Sequence, residues 1–140
     1  MGYDLNRFRK AQDKDYDLAL SEIKAGRKRS HWIWYIFPQL KGLGMSSLAE
    51  YYGLQDLDEA KAYLADPVLR ERLIEISGAL LALDSSDPVS VMGFPDDLKL
   101  RSCMTLFSEA DPEETVFQKV LNKFYNGRKD ERTIQLLNGH

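Results

Sequence analysis

Apolar positions along this chain recur mainly at helical spacing. Leu5, Phe8, Ala19 and Ile23 share one face of a first helix, which Asp4 can cap and Gly26 stops. Leu69, Leu73, Ile76, Leu80 and Leu83 step by fours and threes along a longer helix, opened by Asp66-Pro67 with the proline at its favoured first position. Val116, Phe117, Val120, Leu121 and Phe124 form a third apolar face, which Asp111-Pro112 opens and Gly127 ends. Shorter helices are expected over residues 46–52, from the capping box of Asp56 and Glu59 through residue 65, as one turn over 89–92, and from an Asp130 cap through Thr133 to Leu137. Polar or Gly/Pro breaks fall at 85–88 and 93–95. Residues 96–107, DDLKLRSCMTLF, spread Leu98, Leu100, Met104, Leu106 and Phe107 around nearly the whole helical circumference, the pattern of a buried helix.

Residues 32–37, WIWYIF, depart from that periodicity. Their β-branched and aromatic content makes them the one candidate strand, and Pro38 disfavours helical geometry at Phe37. The segment is therefore either extended or the last turn of a short helix. Gly42-Leu43-Gly44 reads as a tight turn after it. Without repeats or linkers, the pattern predicts an all-α, compact single-domain bundle of about seven short helices spanning residues 1–140.

Composition narrows the setting. A chain of 140 residues is sized for one hydrophobic core. A net charge of −3 and a pI near 5.4 weigh against nucleic acid as a partner. Cys103 is the only cysteine, so no internal disulfide can form and a reducing compartment suits the chain. Asp4, Arg7, Arg9 and Lys10 stand where a signal peptide would be apolar. The longest apolar run falls far short of the roughly 18–20 residues that span a bilayer. The expectation is a cytoplasmic protein with no membrane partner.

Candidate chemistry gathers in two places. Residues 26–46 hold Arg27, Lys28 and Arg29, then His31, then Trp32, Trp34, Tyr35 and Phe37, then Gln39. His31 could serve as general acid or base, or as a structural residue. Trp32 and Trp34 could stack on a planar ligand or fill the core. Lys28 could neutralise an anionic group or be a solvated helix end. The second place is the 96–107 helix, where Asp96, Lys99 and Cys103 share a face and Ser102 lies at its edge. Either Asp96 and Lys99 simply pair, or they floor a cavity offering a carboxylate, an ammonium and a hydroxyl to a ligand. Cys103, mid-helix among apolar neighbours, reads as a packed thiol. No second histidine or cysteine stands at metal-ligand spacing, and no Walker loop, GxGxxG, GxSxG or HExxH motif is present, so no metal or cofactor is expected.

The motifs Asp4-Leu5, Arg7-Phe8, Ala11-Gln12, His31-Trp32, Trp34-Tyr35-Ile36-Phe37-Pro38-Gln39, Gly42-Leu43-Gly44, the 96–107 block and Phe124-Tyr125-Asn126-Gly127 run nearly end to end. By them the chain resembles a bacterial family known as domain of unknown function 1810, some members of which carry the label calpastatin. That resemblance implies a mainly helical fold and no assigned activity. Asp66 stands where the family often has histidine, Arg70 near a common glycine, and Cys103 where serine is frequent. The calpastatin label does not suit a chain periodic and capped throughout, because such inhibitors act through disordered segments. A shorter likeness, through Asp96, Lys99, Phe107, Phe117, Leu121, Phe124 and Thr133, is similar to the C-terminal pattern of the helical NADAR proteins. Those are linked to N-glycosidic hydrolysis and ADP-ribose chemistry. It implies N-glycosidic or ADP-ribose-related hydrolysis. Joined to the candidate residues above, the expectation is a hydrolase acting on a nucleotide-like or ADP-ribosyl ligand, with His31, Asp96 and Lys99 catalytic and Lys28, Trp32, Trp34, Gln39 and Ser102 binding. The alternative is a non-catalytic module that binds a small molecule or a protein partner.

Overall fold

Buried stripes that must find one another set the architecture. The computed structural model describes residues 3–139, and among these lie nine helices: α1 (Asn6–Lys24), α2 (Ile33–Ile36), α3 (Ser47–Tyr52), α4 (Leu57–Ala65), α5 (Pro67–Leu81), α6 (Pro88–Met92), α7 (Asp96–Ala110), α8 (Val116–Tyr125) and α9 (Glu131–Asn138). As its all-round apolar sequence demands, α7 is central and packs against α2, α4, α6, α8 and α9. The α1 and α5 stripes meet each other, and α5 also closes on α8. An aromatic chain ties these layers together, with ring centroids 5.2 Å apart from Phe8 to Tyr63, 5.1 Å to Phe107 and 5.8 Å to Phe117. The domain is all-α, with an isolated parallel bridge between Leu40 and Leu54. No helix among the described residues is long and apolar enough to cross a membrane.

Several ends follow the predicted caps. Asp56, Asp66 and Asp130 each accept backbone N–H bonds in the first turn of α4, α5 and α9, and Asp87, expected only as part of a polar break, does the same for α6. Others do not. Leu5, not Asp4, caps α1, without a side-chain bond. The Asp111-Pro112 segment forms a turn before α8, which begins only at Val116. The reason is Arg70, whose guanidinium draws Asp111 and Glu114 at 3.1 and 3.3 Å. Pro88 lies inside α6 rather than in the preceding break, and α7 runs on to Ala110.

Residues 32–37 are not extended. They make the single turn α2, with Ile36 and Phe37 N–H bonded to Trp32 and Ile33 carbonyls at 3.2 and 3.0 Å. Pro38 acts one residue later, where Phe37 leaves helical geometry at φ −125°, ψ 73°. The turn forms here because its entrance is held from below. Glu22, on the buried face of α1, accepts Arg29 N–H at 2.8 Å, Ser30 N–H at 3.0 Å and the Trp32 indole N–H at 2.9 Å on Oε1, and the Ser30 hydroxyl at 2.6 Å on Oε2. Burial alone would raise the Glu22 pKa; the four donors more than offset it and hold it at about 2, against an ordinary 4.5.

On the other side, Leu54 N–H bonds to Gln39 O at 2.9 Å and Lys41 N–H to Leu54 O at 2.8 Å, clamping the chain after α2 to the chain after α3. Gly53 permits this clamp: a Cβ there would stand 2.7 Å from Lys41 Cα and 2.8 Å from Ala49 O.

Two outcomes follow. Because the folded pKa of Glu22 lies below the unfolded one, its contribution is complete above pH 4.5 and lost as pH falls toward 2. That contribution is about 3 kcal/mol by linkage. Glu22→Gln should flatten the stability–pH curve in that window in urea titrations; an unchanged slope would remove Glu22 from this role. Gly53→Ala should cost about 1–3 kcal/mol by the same assay, through backbone crowding.

Candidate functional site

The clamp and the central helix leave a cleft between α2 and α7. Ile33 and Trp34 of α2 with Phe37 just after it form one wall, Ala49 and Tyr52 of α3 with Gly53 another, and Gln39 and Lys99 the rim. Its narrow end measures about 10 Å³, room for one water-sized group. Gln39 and Lys99 also line an outer groove of about 250 Å³, with Leu43, Pro95, Leu98, Ser102, Asp130 and Arg132.

Trp34 and Lys99 define the polarity of the narrow end. The Trp34 indole N–H is buried and has no protein acceptor among the described residues. Lys99 Nζ stands 5.5 Å from the Trp34 ring centroid, where the aromatic face favours a cation. It is a quarter exposed and reaches Asp96 Oδ1 at only 3.6 Å, a loose pairing.

Asp96 is engaged more firmly elsewhere. Its Oδ2 meets Lys28 Nζ at 2.7 Å, and the Lys28 side chain is 5% exposed. Lys28 is further held by the Ser30 carbonyl and lies 4.9 Å from the Trp32 ring centroid. A buried ammonium requires such a set of partners. The expected Asp96–Lys99 pair is therefore present as the weaker arm of a three-membered cluster, Lys28–Asp96–Lys99.

The residues picked out in the sequence thus divide. Trp34, Gln39 and Lys99 line one cleft. Lys28 and Asp96 sit behind it as mutual partners. Trp32 is 1% exposed, its indole N–H on Glu22 and its rings beside Lys28 and Phe37. It is core, with no open face on which a ligand could stack. His31 is exposed and lines neither the cleft nor the groove. Ser102 Oγ lies 3.1 Å from both Leu98 O and Asp130 Oδ2, so its hydroxyl serves the α7 backbone and the α9 cap rather than a ligand. Burial pushes the Cys103 thiol well above its ordinary pKa, which keeps it un-ionised.

Sequence reasoning missed Glu22 and the α3 wall. A carboxylate three residues from Ala19 on a face otherwise apolar was a visible signal for Glu22. Nothing marked Ala49, Tyr52 and Gly53, because α3 is mostly exposed and its place beside α2 depends on contacts distant in sequence, such as Tyr52 on Phe8 and the Leu40–Leu54 bridge. The neighbouring Asp97 is 7% exposed with Oδ1 unpaired, and burial raises its pKa, but it does not line the cleft.

Fold and cleft together define a small all-helical domain with an aromatic-walled recess at the N-terminal end of its central helix. The chain belongs to the family described as "Protein of unknown function (DUF1810)", whose model matches residues 2–137. It is also similar to the crystal structure of the conserved hypothetical protein Rv1873 from Mycobacterium tuberculosis, with 46% identity over 96% of each chain and a TM-score of 0.94. No curated protein is similar to it at a significant level.

The cluster geometry separates Asp96 from Lys99 energetically. Asp96→Ala strands a buried ammonium and should destabilise the fold by about 3 kcal/mol. Lys99→Ala removes a long, part-exposed contact and should cost under about 1 kcal/mol. Urea unfolding of both variants measures the difference, and equal losses would refute this division of roles.

Proposed function

We propose that the protein is a ligand-binding module whose α2–α7 cleft receives one oxygen-bearing group of a small ligand. The observation that carries this reading is the buried Trp34 indole N–H, which no acceptor from the described residues meets. An unpaired buried donor costs about 1–3 kcal/mol, which a bound acceptor recovers. The rim supports it, since Lys99 and Gln39 offer further donors on the same recess.

Binding is favoured over turnover of a nucleotide-like or ADP-ribosyl substrate. Asp96 faces two ammonium groups, and Lys28 holds one of its oxygens at 2.7 Å. A proton-transfer role would need that carboxylate released. The narrow end admits one small group rather than a base, and Trp32 offers no stacking face. With a single un-ionised thiol, the module suits a cytoplasmic setting.

The test is a thermal-shift screen of nucleotides, NAD, ADP-ribose, riboside phosphates and small organic acids, with product analysis of every hit. A ligand at a hundred times its Kd adds about 2.7 kcal/mol, or about 9 °C for a chain of this length. Trp34→Phe keeps an aromatic ring but removes the donor and should weaken a hit about tenfold. Product formation would overturn this reading in favour of the hydrolase. Hits indifferent to Trp34→Phe would move the site elsewhere.

A further inference from the structure

Resting on that reading, we infer that the group entering the cleft is a carboxylate on an apolar stem, held by the Trp34 indole N–H and the Lys99 ammonium. The charge count behind the cleft is the first argument. Within the Lys28–Asp96–Lys99 cluster two ammonium groups share one carboxylate, a surplus of one positive charge. The neighbouring Asp97 is buried, pairs with neither and does not line the cleft, and burial raises its pKa toward the neutral form. Asp96 is committed to Lys28 at 2.7 Å, so the surplus lies on Lys99, whose 3.6 Å contact is loose. Among the described residues, no acidic side chain lines the narrow end.

Size and donor number point the same way. A carboxylate presents two oxygens: one is the size of the narrow end beside Trp34, the other stays at the rim with Lys99, and charge-assisted bonds of this kind are the strong ones. A phosphate dianion would leave net negative charge against Ile33, Phe37 and the aromatic walls. A neutral amide would satisfy Trp34 but leave the Lys99 charge unanswered. The stem has its place as well: the outer groove continues from the same Gln39 and Lys99 over Leu43, Pro95 and Leu98. Such a group comes from a free small acid or from the C-terminus of a peptide.

Indole N–H signals in 1H–15N spectra of the whole chain provide the readout. There are two tryptophans, and Trp32, bonded to Glu22, is an internal control for the fold. Titration with phenylacetate or hexanoate should shift the Trp34 signal saturably and leave that of Trp32 in place. Phenylacetamide and phenyl phosphate should not do so. Lys99→Met should weaken the acids about tenfold or more, and Lys99→Arg should restore most of the affinity. If the amide or the phosphate binds as well as the acid, or Lys99→Met changes nothing, the carboxylate assignment falls while the cleft remains a binding site. If these acids leave the Trp34 signal still but a hit from the thermal screen moves it, the assignment falls in the same way. If neither acids nor screen hits move it, both readings fall. A peptide ending in phenylalanine, compared with its C-terminal amide and with phenylacetate, separates the sources. Tighter binding of the peptide acid alone indicates a protein tail, and equal binding a small acid.

Discussion

The Glu22 carboxylate is the constraint on which the rest of the site depends. A charge buried against α2 is tolerable only with its oxygens filled, and backbone and side-chain donors from residues 29–32 fill them without a paired cation among the described residues. Satisfying Glu22 therefore dictates the path of the chain after α1. Trp32 is drawn inward, α2 begins one residue later, and Trp34 is left facing the N-terminal end of α7. Lys28, folded over Trp32, then has one carboxylate within reach, that of Asp96. The order of cause runs from one helix-borne acid to a turn, then to a helix orientation, then to a recess.

Central α7 has a divided character. From Leu100 to Phe107 it is almost wholly buried and acts as the axis of the core. At its first turn Asp96 and Lys99 reach partly exposed positions, and near its far end Glu109 does the same and pairs with Lys129. A helix buried along most of its length carries charge most readily where it leaves the core, and the recess occupies the first of these two ends. The similarity to the mycobacterial protein fits an arrangement set by packing, since a TM-score of 0.94 accompanies only 46% identity.

Much of this was legible in the sequence where one local rule decided. The α5 stripe and the caps at Asp56, Asp66 and Asp130 each follow from spacing or from a single side chain meeting a nearby N–H. Legibility failed where a distant partner intervened. Arg70 drew the Asp111 carboxylate, while Glu114, also on Arg70, accepts the Val116 N–H at the start of α8, and Glu22 made a helical turn of a segment with strand composition. The site was readable in part for the same reason. Trp34, Gln39 and Lys99 stood out by residue type. Whether a tryptophan lines a recess or fills the core depends on what lies beneath it, and Glu22 put Trp32 on the other side of that division.

The buried thiol of Cys103 has a practical consequence. It sits at 0% exposure in the middle of α7 and is the only sulfhydryl in the chain. A reagent that attacks thiolates can reach it only when the axis of the domain opens, so its rate of labelling counts those openings. The protein thus carries an intrinsic clock for excursions of its core, read from a single atom and independent of any signal at the surface.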